Sequence, residues 1–548
     1  MRRRRKPDGF PRFVIANHST VKGDFQDKIM ANFVRERADR GLRRRALCGR
    51  LNTIFTKERS AEGRFQNGGE SMAAKNQVNV LDESRSPIMT ILLLAWPVFV
   101  EQIFTTLVSF ADTAMVGSLG AEATAAISIS NSPVFLLNGL IMSLGVGITA
   151  LVARATGRGD GELVKTLMRH ALLAILYLGI PITLVVIALS RKIPLWMGAD
   201  AAILDTAAQY NLIVSCGRIF SLTAMILNSA FRGYGDTKTP MKANLVLNVV
   251  NVIGNFFLIY PTRTVAILGL SITVPGAGWG VAGAGVATAV GMTVSGAIAL
   301  RNAFKKSNPY RISLREKGSF KPDLGLSRNI YKISLPAMLE RLCLSSAGVL
   351  VASSIAALGT ASVAANSLCG TAESLSYMPA FAFQMAITTL VGQALGADKP
   401  ELAEKFVKLC NIMGGTIMFF TGAALFIFAE QIIGVFTPDQ EVIAIAAACL
   451  RVEAAIQVPQ VIGWVYSGAL RGAGDTGVIF YINAATNWGI RTLGMLLGIR
   501  FFGLDLADAY IVVGVEITVR MVLFYIRYKR GQWKTIMQRM EKKSVVKS

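Results

Sequence analysis

The sequence predicts an all-α polytopic membrane protein: twelve transmembrane helices in two six-helix lobes, related by a parallel pseudo-two-fold repeat at an offset of 239 residues. Three observations carry this expectation. Of 548 residues, 52% are hydrophobic and only 17% charged, and mean hydropathy is +0.47; a soluble domain has about a quarter of its residues charged. The apolar residues also gather in runs of the roughly twenty residues that a helix needs to cross hydrocarbon. Finally, RGYGDT at Arg232–Thr237 returns as RGAGDT at Arg471–Thr476, five of six residues identical.

Taken in chain order, residues 1–86 hold 20 Lys/Arg against 10 Asp/Glu without sustained apolar periodicity, and are expected to be a basic, disordered N-terminal extension. Met72, which opens MAAKNQVNV after GGES, is an alternative start. Apolar windows then fall at 89–117, 123–152, 169–190, 206–231, 243–260 and 278–302, a first lobe within 87–304. After a loop at 305–332, windows at 333–358, 363–391, 405–430, 441–469, 478–500 and 508–528 form a second lobe, 333–528, followed by a basic tail, 529–548. The stretch 301–332 carries nine Lys/Arg: Arg301, Lys305, Lys306, Arg311, Arg315, Lys317, Lys321, Arg328 and Lys332. The positive-inside rule places it, and both termini, in the cytoplasm of a multi-pass inner-membrane protein.

The repeat extends well beyond one phrase. ITALVARATGRGDGEL at 148–163 aligns without a gap to ITTLVGQALGADKPEL at 387–402, with eight of sixteen identical. Pro97 and Glu101 map onto Pro336 and Glu340 at the same offset, Leu119–Gly120 onto Leu358–Gly359, and Asn248 onto Asn487. Each copy holds an even number of spans, so both stand the same way up, an arrangement found in secondary transporters. RG-x-GDT suits a helix end: Gly235 and Gly474 permit a left-handed backbone, Asp236 and Asp475 can cap the next helix, and Arg232 and Arg471 can meet terminal carbonyls. No GxxxxGK[ST] motif supports a phosphate-binding reading.

Ionisable side chains inside spans are functional candidates, since each costs about 3 kcal/mol to insert. The first span offers Glu101 and Asp112, eleven residues and roughly three turns apart on nearly one face; they can form two steps of one ion path. Burial of a carboxylate in an apolar cavity favours its protonated form, which allows proton exchange in competition with a cationic compound. The second lobe offers Glu340, Arg341, Glu373, Glu453, Arg491, Glu516 and Arg520. Glu340 with Arg341 can be a structural pair or gate, or else a coupling site; Arg491 with Glu516 is an expected interhelical pair, and Arg218 can neutralise a neighbouring acid. Gln102, Thr105, Asn228, Asn248 and Asn251 are candidates for lining a substrate cavity. Two histidines, His18 and His170, and six scattered cysteines (Cys48, Cys216, Cys343, Cys369, Cys410, Cys449) argue against a metal or haem centre. GWGVAG at 278–283 matches GxGxxG, but no βαβ unit surrounds it; close helix packing by small residues explains it better.

Several stretches resemble the multidrug and toxic compound extrusion (MATE) transporters: WPVFVEQ and FADTAMVGSLG in the first span, LVARATGRGD and LVGQALGADK after the second and eighth, FRGYGDTKTPM and LRGAGDTG after the fourth and tenth, GWGVAGAGVAT, and the terminal RYKRGQW. The resemblance covers roughly 87–535 and is closest to the DNA-damage-inducible-type branch. It implies a non-enzymatic exporter of organic, often cationic, compounds in exchange for H⁺ or Na⁺, without other cofactors. It also implies that Asp112, in its D-x-x-x-V-G context, is the coupling acid. Members of that branch often carry a second acid four residues after an asparagine in the fifth span; here Asn255 follows Asn251. A Na⁺ site of Asp112, Asn251, Asn255 and Thr288 remains open, with proton coupling favoured. The expected partners are a small organic substrate and the lipid bilayer, with no nucleic acid, and a monomer is expected. A flippase for lipid-linked saccharides, or a non-transporting receptor or scaffold, are the alternatives.

Overall fold

The computed structural model describes residues 77–539 apart from 268–269, 314–319 and 321. The expectations for residues 1–76, Met72, His18 and Cys48 among them, and for the tail beyond 539 lie outside the described residues, as do Arg315, Lys317 and Lys321.

The first lobe comprises α1 (Pro87–Gly117), α2 (Ala121–Gly157), α3 (Gly161–Ala188, with a π-turn at Ile175–Gly179), α4 (Ala201–Gly233), α5 (Lys238–Leu258) and α6 (Gly280–Phe304). The second comprises α7 (Leu324–Ala356), α8 (Thr360–Gly396), α9 (Pro400–Ile427), α10 (Gln440–Gly472), α11 (Thr476–Thr486, a π-turn at Asn487–Thr492, then Leu493–Phe501) and α12 (Leu506–Lys529). Among the described residues, eleven spans are long and apolar enough to cross a membrane; α11, interrupted by its π-turn and carrying Arg491 and Arg500, supplies the twelfth. Helix starts follow their caps. The Ser86 hydroxyl accepts from Met89 N ahead of Pro87, and the Asp160, Asp323, Asp439 and Asp505 carboxylates cap α3, α7, α10 and α12. Gly120 and Gly359, repeat mates just ahead of α2 and α8, take φ of 105° and 100°, where a side chain is strained.

Between α5 and α6 the chain forms an antiparallel hairpin, β1 (Pro261–Ile267) and β2 (Leu270–Ala277), where no element is expected from apolar windows. The Arg263 guanidinium lies over the Tyr260 ring at 3.7 Å and the Phe256 ring at 4.8 Å. Behind the hairpin, a Cβ on Gly283 would sit 2.4 Å from the Leu258 carbonyl oxygen. The GxGxxG-like stretch therefore serves close packing.

The lobes meet at the end bearing both RG-x-GDT turns. Helix α1 leans on α8, and α7 on α2. There α2 and α8 approach so closely that a Cβ on Gly157 would lie 2.0 Å from Gln393 O, and one on its repeat mate Gly396 2.2 Å from Arg154 O. Arg154 and Gln393 are themselves 239 residues apart, so the crossing is two-fold in the same sense as the repeat. Neutral hydrogen bonds add to it: Thr389 Oγ1 donates to Arg232 O and Gln393 Nε2 to Gly233 O, both at 2.9 Å, and Ser143 Oγ donates to Ala337 O at 3.2 Å. The segment before α1 covers this junction, with Val78 N donating to Gly235 O at 3.1 Å and Val78 and Val80 buried. From the other terminus, Trp533 is buried and stacked on Tyr528 at 5.1 Å, and Met537 packs with Ala150 and Ile333, one from each lobe.

Candidate functional site

Helices α1 and α5 run side by side, and α5 turns a stripe of asparagines toward its neighbours. Asn244, Asn248, Asn251 and Asn255 recur at spacings of four, three and four, one face of a helix. Asn244 Nδ2 donates to Glu101 Oε1, Asn248 Nδ2 to Thr105 Oγ1 at 3.4 Å, and Asn255 Nδ2 to Asp112 Oδ1. Each of these pairs is 143 residues apart, so one register of two parallel helices builds a ladder from Glu101 to Asp112. Asn251 Nδ2 donates to Thr288 Oγ1 of α6 at 3.0 Å, and Asn255 Nδ2 also reaches Asn251 Oδ1 at 3.3 Å. Asp112, Asn251, Asn255 and Thr288 are thus brought together as one string. Asn255 is fully buried, and its Oδ1 has no hydrogen-bond partner. Tyr210 of α4, also buried, hydrogen-bonds with Thr288 and Asn131 and lies within electrostatic range of Asp112.

The two ends of the ladder differ in kind. Glu101, at the end nearer the RG-x-GDT turn, accepts from Arg232 Nη2 at 2.6 and 2.9 Å, with the two side chains 6% and 13% exposed. Glu340 accepts from Arg471 Nη2 at 2.7 Å and from Asn483 Nδ2 at 2.7 Å. These are the same trio displaced by 239 in every member. The arginine of RG-x-GDT therefore serves first to neutralise the glutamate one turn after the proline of its lobe's first helix. It replaces the expected carbonyl contact, and of the two readings left open for Glu340 and Arg341 the pair is not formed, because Glu340 pairs with Arg471. Asp112 has no ion-pair partner among the described residues.

The aspartates of the two turns behave differently. The Asp236 carboxylate accepts from Thr239 N at 2.9 Å and Thr239 Oγ1 at 2.6 Å, a cap of the expected sort, whereas Asp475 accepts from Arg527 Nε at 2.8 Å. Burial lifts both carboxyls above the ordinary range; the Thr239 bonds and Arg527 pull each part of the way back. Gly235 and Gly474 hold φ of 92° and 80°.

In the second lobe, Tyr377 OH donates to Glu453, and Glu373 and Arg491 lie within interaction range of that carboxylate. Glu516, fully buried, accepts from Thr486 Oγ1 at 2.8 Å and pairs with Arg520 at 3.5 Å. The expected Arg491–Glu516 pair is displaced because Arg520 stands one turn away on Glu516's own helix. Beyond Asn483 and Asn487 the second lobe has Ile490 and Gly494 where the ladder needs amides, and Val351 where it needs Asp112. Gln102 is half-buried on α1, and Asn228 is buried on α4 with its Oδ1 unpartnered; neither joins the ladder. Asn244, Asn483, Tyr210 and Tyr377 were not singled out from sequence. Asn244 and Asn483 were detectable, being identical residues at the repeat offset.

The MatE family profile matches residues 97–257 and 336–496, together more than half of the chain and themselves displaced by 239. Among curated relatives, a "Probable multidrug resistance protein NorM" of Thermotoga maritima is 26% identical over 441 residues, covering 80% of this chain and 92% of the relative. One of the same description from Mannheimia succiniciproducens is 27% identical over 452 residues, covering 80% and 93%. Among solved structures, an outward-facing conformation of a multidrug resistance MATE family transporter superposes with a TM-score of 0.75 at 23% identity, covering 85% of this chain and 99% of that one. A superfamily transporter from Pyrococcus furiosus, described as having a binding pocket of reverse polarity, gives 0.73 at 23%, covering 82% and 97%. At that identity the likeness concerns the fold.

Proposed function

The chain belongs to the MatE family of membrane transporters, and from that premise we propose that it is an ion-coupled exporter of organic, cationic or amphiphilic compounds, working by alternating access. The observation that carries this reading is the ladder's outer end. Asp112, a carboxylate without an ion-pair partner among the described residues, is held by Asn255 inside the first lobe and backed by Asn251, Thr288 and Tyr210. Such a group binds one cation at a time, so a proton and a cationic substrate exclude each other. Glu101 is already neutralised by Arg232 and acts as framework, leaving Asp112 as the coupling group. Proton coupling is favoured over Na⁺ because Asn255 turns its N–H donor, and not its carbonyl oxygen, toward Asp112, leaving the carboxylate as the string's titratable group. The span-1 acid also supports a place near the DNA-damage-inducible-type branch.

The relatives described as multidrug resistance proteins support the substrate class. Basic residues support a cytoplasmic location for the joined end and both termini, in the inner membrane. With the joined end inside, the structure corresponds to the outward-facing state. In the second lobe the buried acids stand among Arg471, Arg491 and Arg520, which favours an exporter over a saccharide-lipid flippase needing a net cationic cavity.

The test is counterflow of a fluorescent organic cation in proteoliposomes under separately imposed pH and sodium gradients. A pH gradient drives uptake in the wild type, and Asp112→Asn abolishes substrate-driven proton release. Transport that ignores both gradients, or that survives Asp112→Asn with its pH dependence intact, overturns the reading.

A further inference from the structure

Arg218 lies at the middle of α4 and so near the bilayer midplane, and it is 2% exposed. Its Nε and Nη2 have no hydrogen-bond partner, and no carboxylate forms an ion pair with it, among the described residues. Deprotonation offers no relief, because a guanidinium keeps its proton in proteins. A buried charge in a span is costly and marks function by default. The residue 239 positions on is Gln457, fully buried on α10, whose Nε2 likewise lacks a partner. At matching places, then, the first lobe carries a permanent positive charge and the second a neutral amide.

The charge belongs to the surroundings of the Asp112 string. Tyr210, eight residues earlier on α4 and about 12 Å away along the axis, is within electrostatic range of both Asp112 and Arg218. Glu101 and Arg232 cancel each other. Among the residues placed around the string, Asp112 and Arg218 remain, one negative and one positive. The surroundings are neutral while the site is empty and Asp112 is ionised. A bound monocation leaves one positive charge in an apolar setting, whereas a zwitterion leaves none.

We propose that Arg218 sets the charge preference of the first-lobe site: it is a resident cation that weakens binding of monocations at Asp112 and favours zwitterionic amphiphiles, their ammonium toward Asp112 and their anionic group toward Arg218. This rests on Asp112 being the cation-binding group. By Coulomb's law at an effective dielectric constant of about 20, a tenfold effect on affinity corresponds to charges about 12 Å apart.

Equilibrium binding to the purified full-length protein in lipid nanodiscs tests it, with an aromatic amphiphile bearing an amine and a carboxylate, and its methyl ester, at a pH where both amines are charged. The wild type binds the zwitterion at least as tightly as the ester. Arg218→Met tightens the ester about tenfold and weakens the zwitterion by a similar factor, while Arg218→Lys keeps the wild-type order. Arg218→Gln, which copies the second lobe, repeats the Met result and serves if the Met variant does not fold. A wild type that prefers the ester tenfold, or neutral variants in which both probes shift alike or not at all, overturn the proposal. If Asp112→Asn leaves the affinity of both probes unchanged, it is the cation-site reading that fails, independently of Arg218.

Discussion

Removing one partner of the Glu101–Arg232 pair exposes how much of the first lobe depends on it. The two side chains are 6% and 13% exposed, Arg232 Nη2 reaches both carboxylate oxygens at 2.6 and 2.9 Å, and Asn244 adds a third bond. Truncating one partner of a buried pair costs about 3–5 kcal/mol, because the survivor is left charged and dry. Glu101→Gln and Arg232→Met are each expected to destabilise by about 3 kcal/mol. The double variant, which leaves no charge behind, is expected to lose no more than either single, a coupling of about 3 kcal/mol. The assay is chemical unfolding in detergent, followed by resistance to proteolysis, for the four proteins of the cycle. The Glu340–Arg471 cycle supplies an internal control. There the arginine is 23% exposed and one distance of 2.7 Å joins the pair, so its coupling is smaller. Additive losses in the first lobe, or a larger coupling in the second, would refute the argument that burial sets the size of the effect.

Three further outcomes are expected. Gly157→Ala or Gly396→Ala places a methyl group about 2 Å from a carbonyl oxygen of the opposite lobe; labelling of cysteines introduced at the joined end should then rise, reporting a population shifted away from the closed junction. Asn255→Asp sets a second carboxylate against Asp112, and two such groups cannot both ionise cheaply; the pH dependence of drug transport should move toward alkaline pH. Trp533→Ala removes a buried ring stacked on Tyr528 and should cost about 3–5 kcal/mol, read as a lower unfolding midpoint without loss of binding at the Asp112 end.

The helices were legible because each apolar run exceeds what a soluble core requires, and the duplication was legible because one ungapped register links the copies. Pairing was harder to read. Glu101 and Arg232 are separated by 131 residues, and only the fold brings the helix that follows the N-terminal extension against the fourth helix's end. The clue was that Glu101 and Arg232 share one repeat offset with Glu340 and Arg471. The hairpin at 261–277 escaped because Thr, Arg, Ser, Gly and Pro break up its apolar residues, leaving no long apolar run, the signal used for spans. Of the candidate site, the residues came through but their division did not. Glu101 and Asp112 read as two steps of one ion path with Asp112 the coupling acid, yet an arginine supplied from another helix claims Glu101 and leaves Asp112 to an amide.

The duplicated glutamate–arginine trio also bears on how freely the molecule can change shape. Each buried pair closes its circuit within a single half of the protein. The hydrogen bonds described across the junction join uncharged groups: the Thr389 hydroxyl, the Gln393 amide and the Ser143 hydroxyl, each to a peptide carbonyl. Water can take over each such bond at about 0.5–1.5 kcal/mol. Pulling apart a desolvated salt bridge would demand several times more. In the proposed alternating-access cycle, the halves would part and rejoin while the charges that hold each one rigid stay covered.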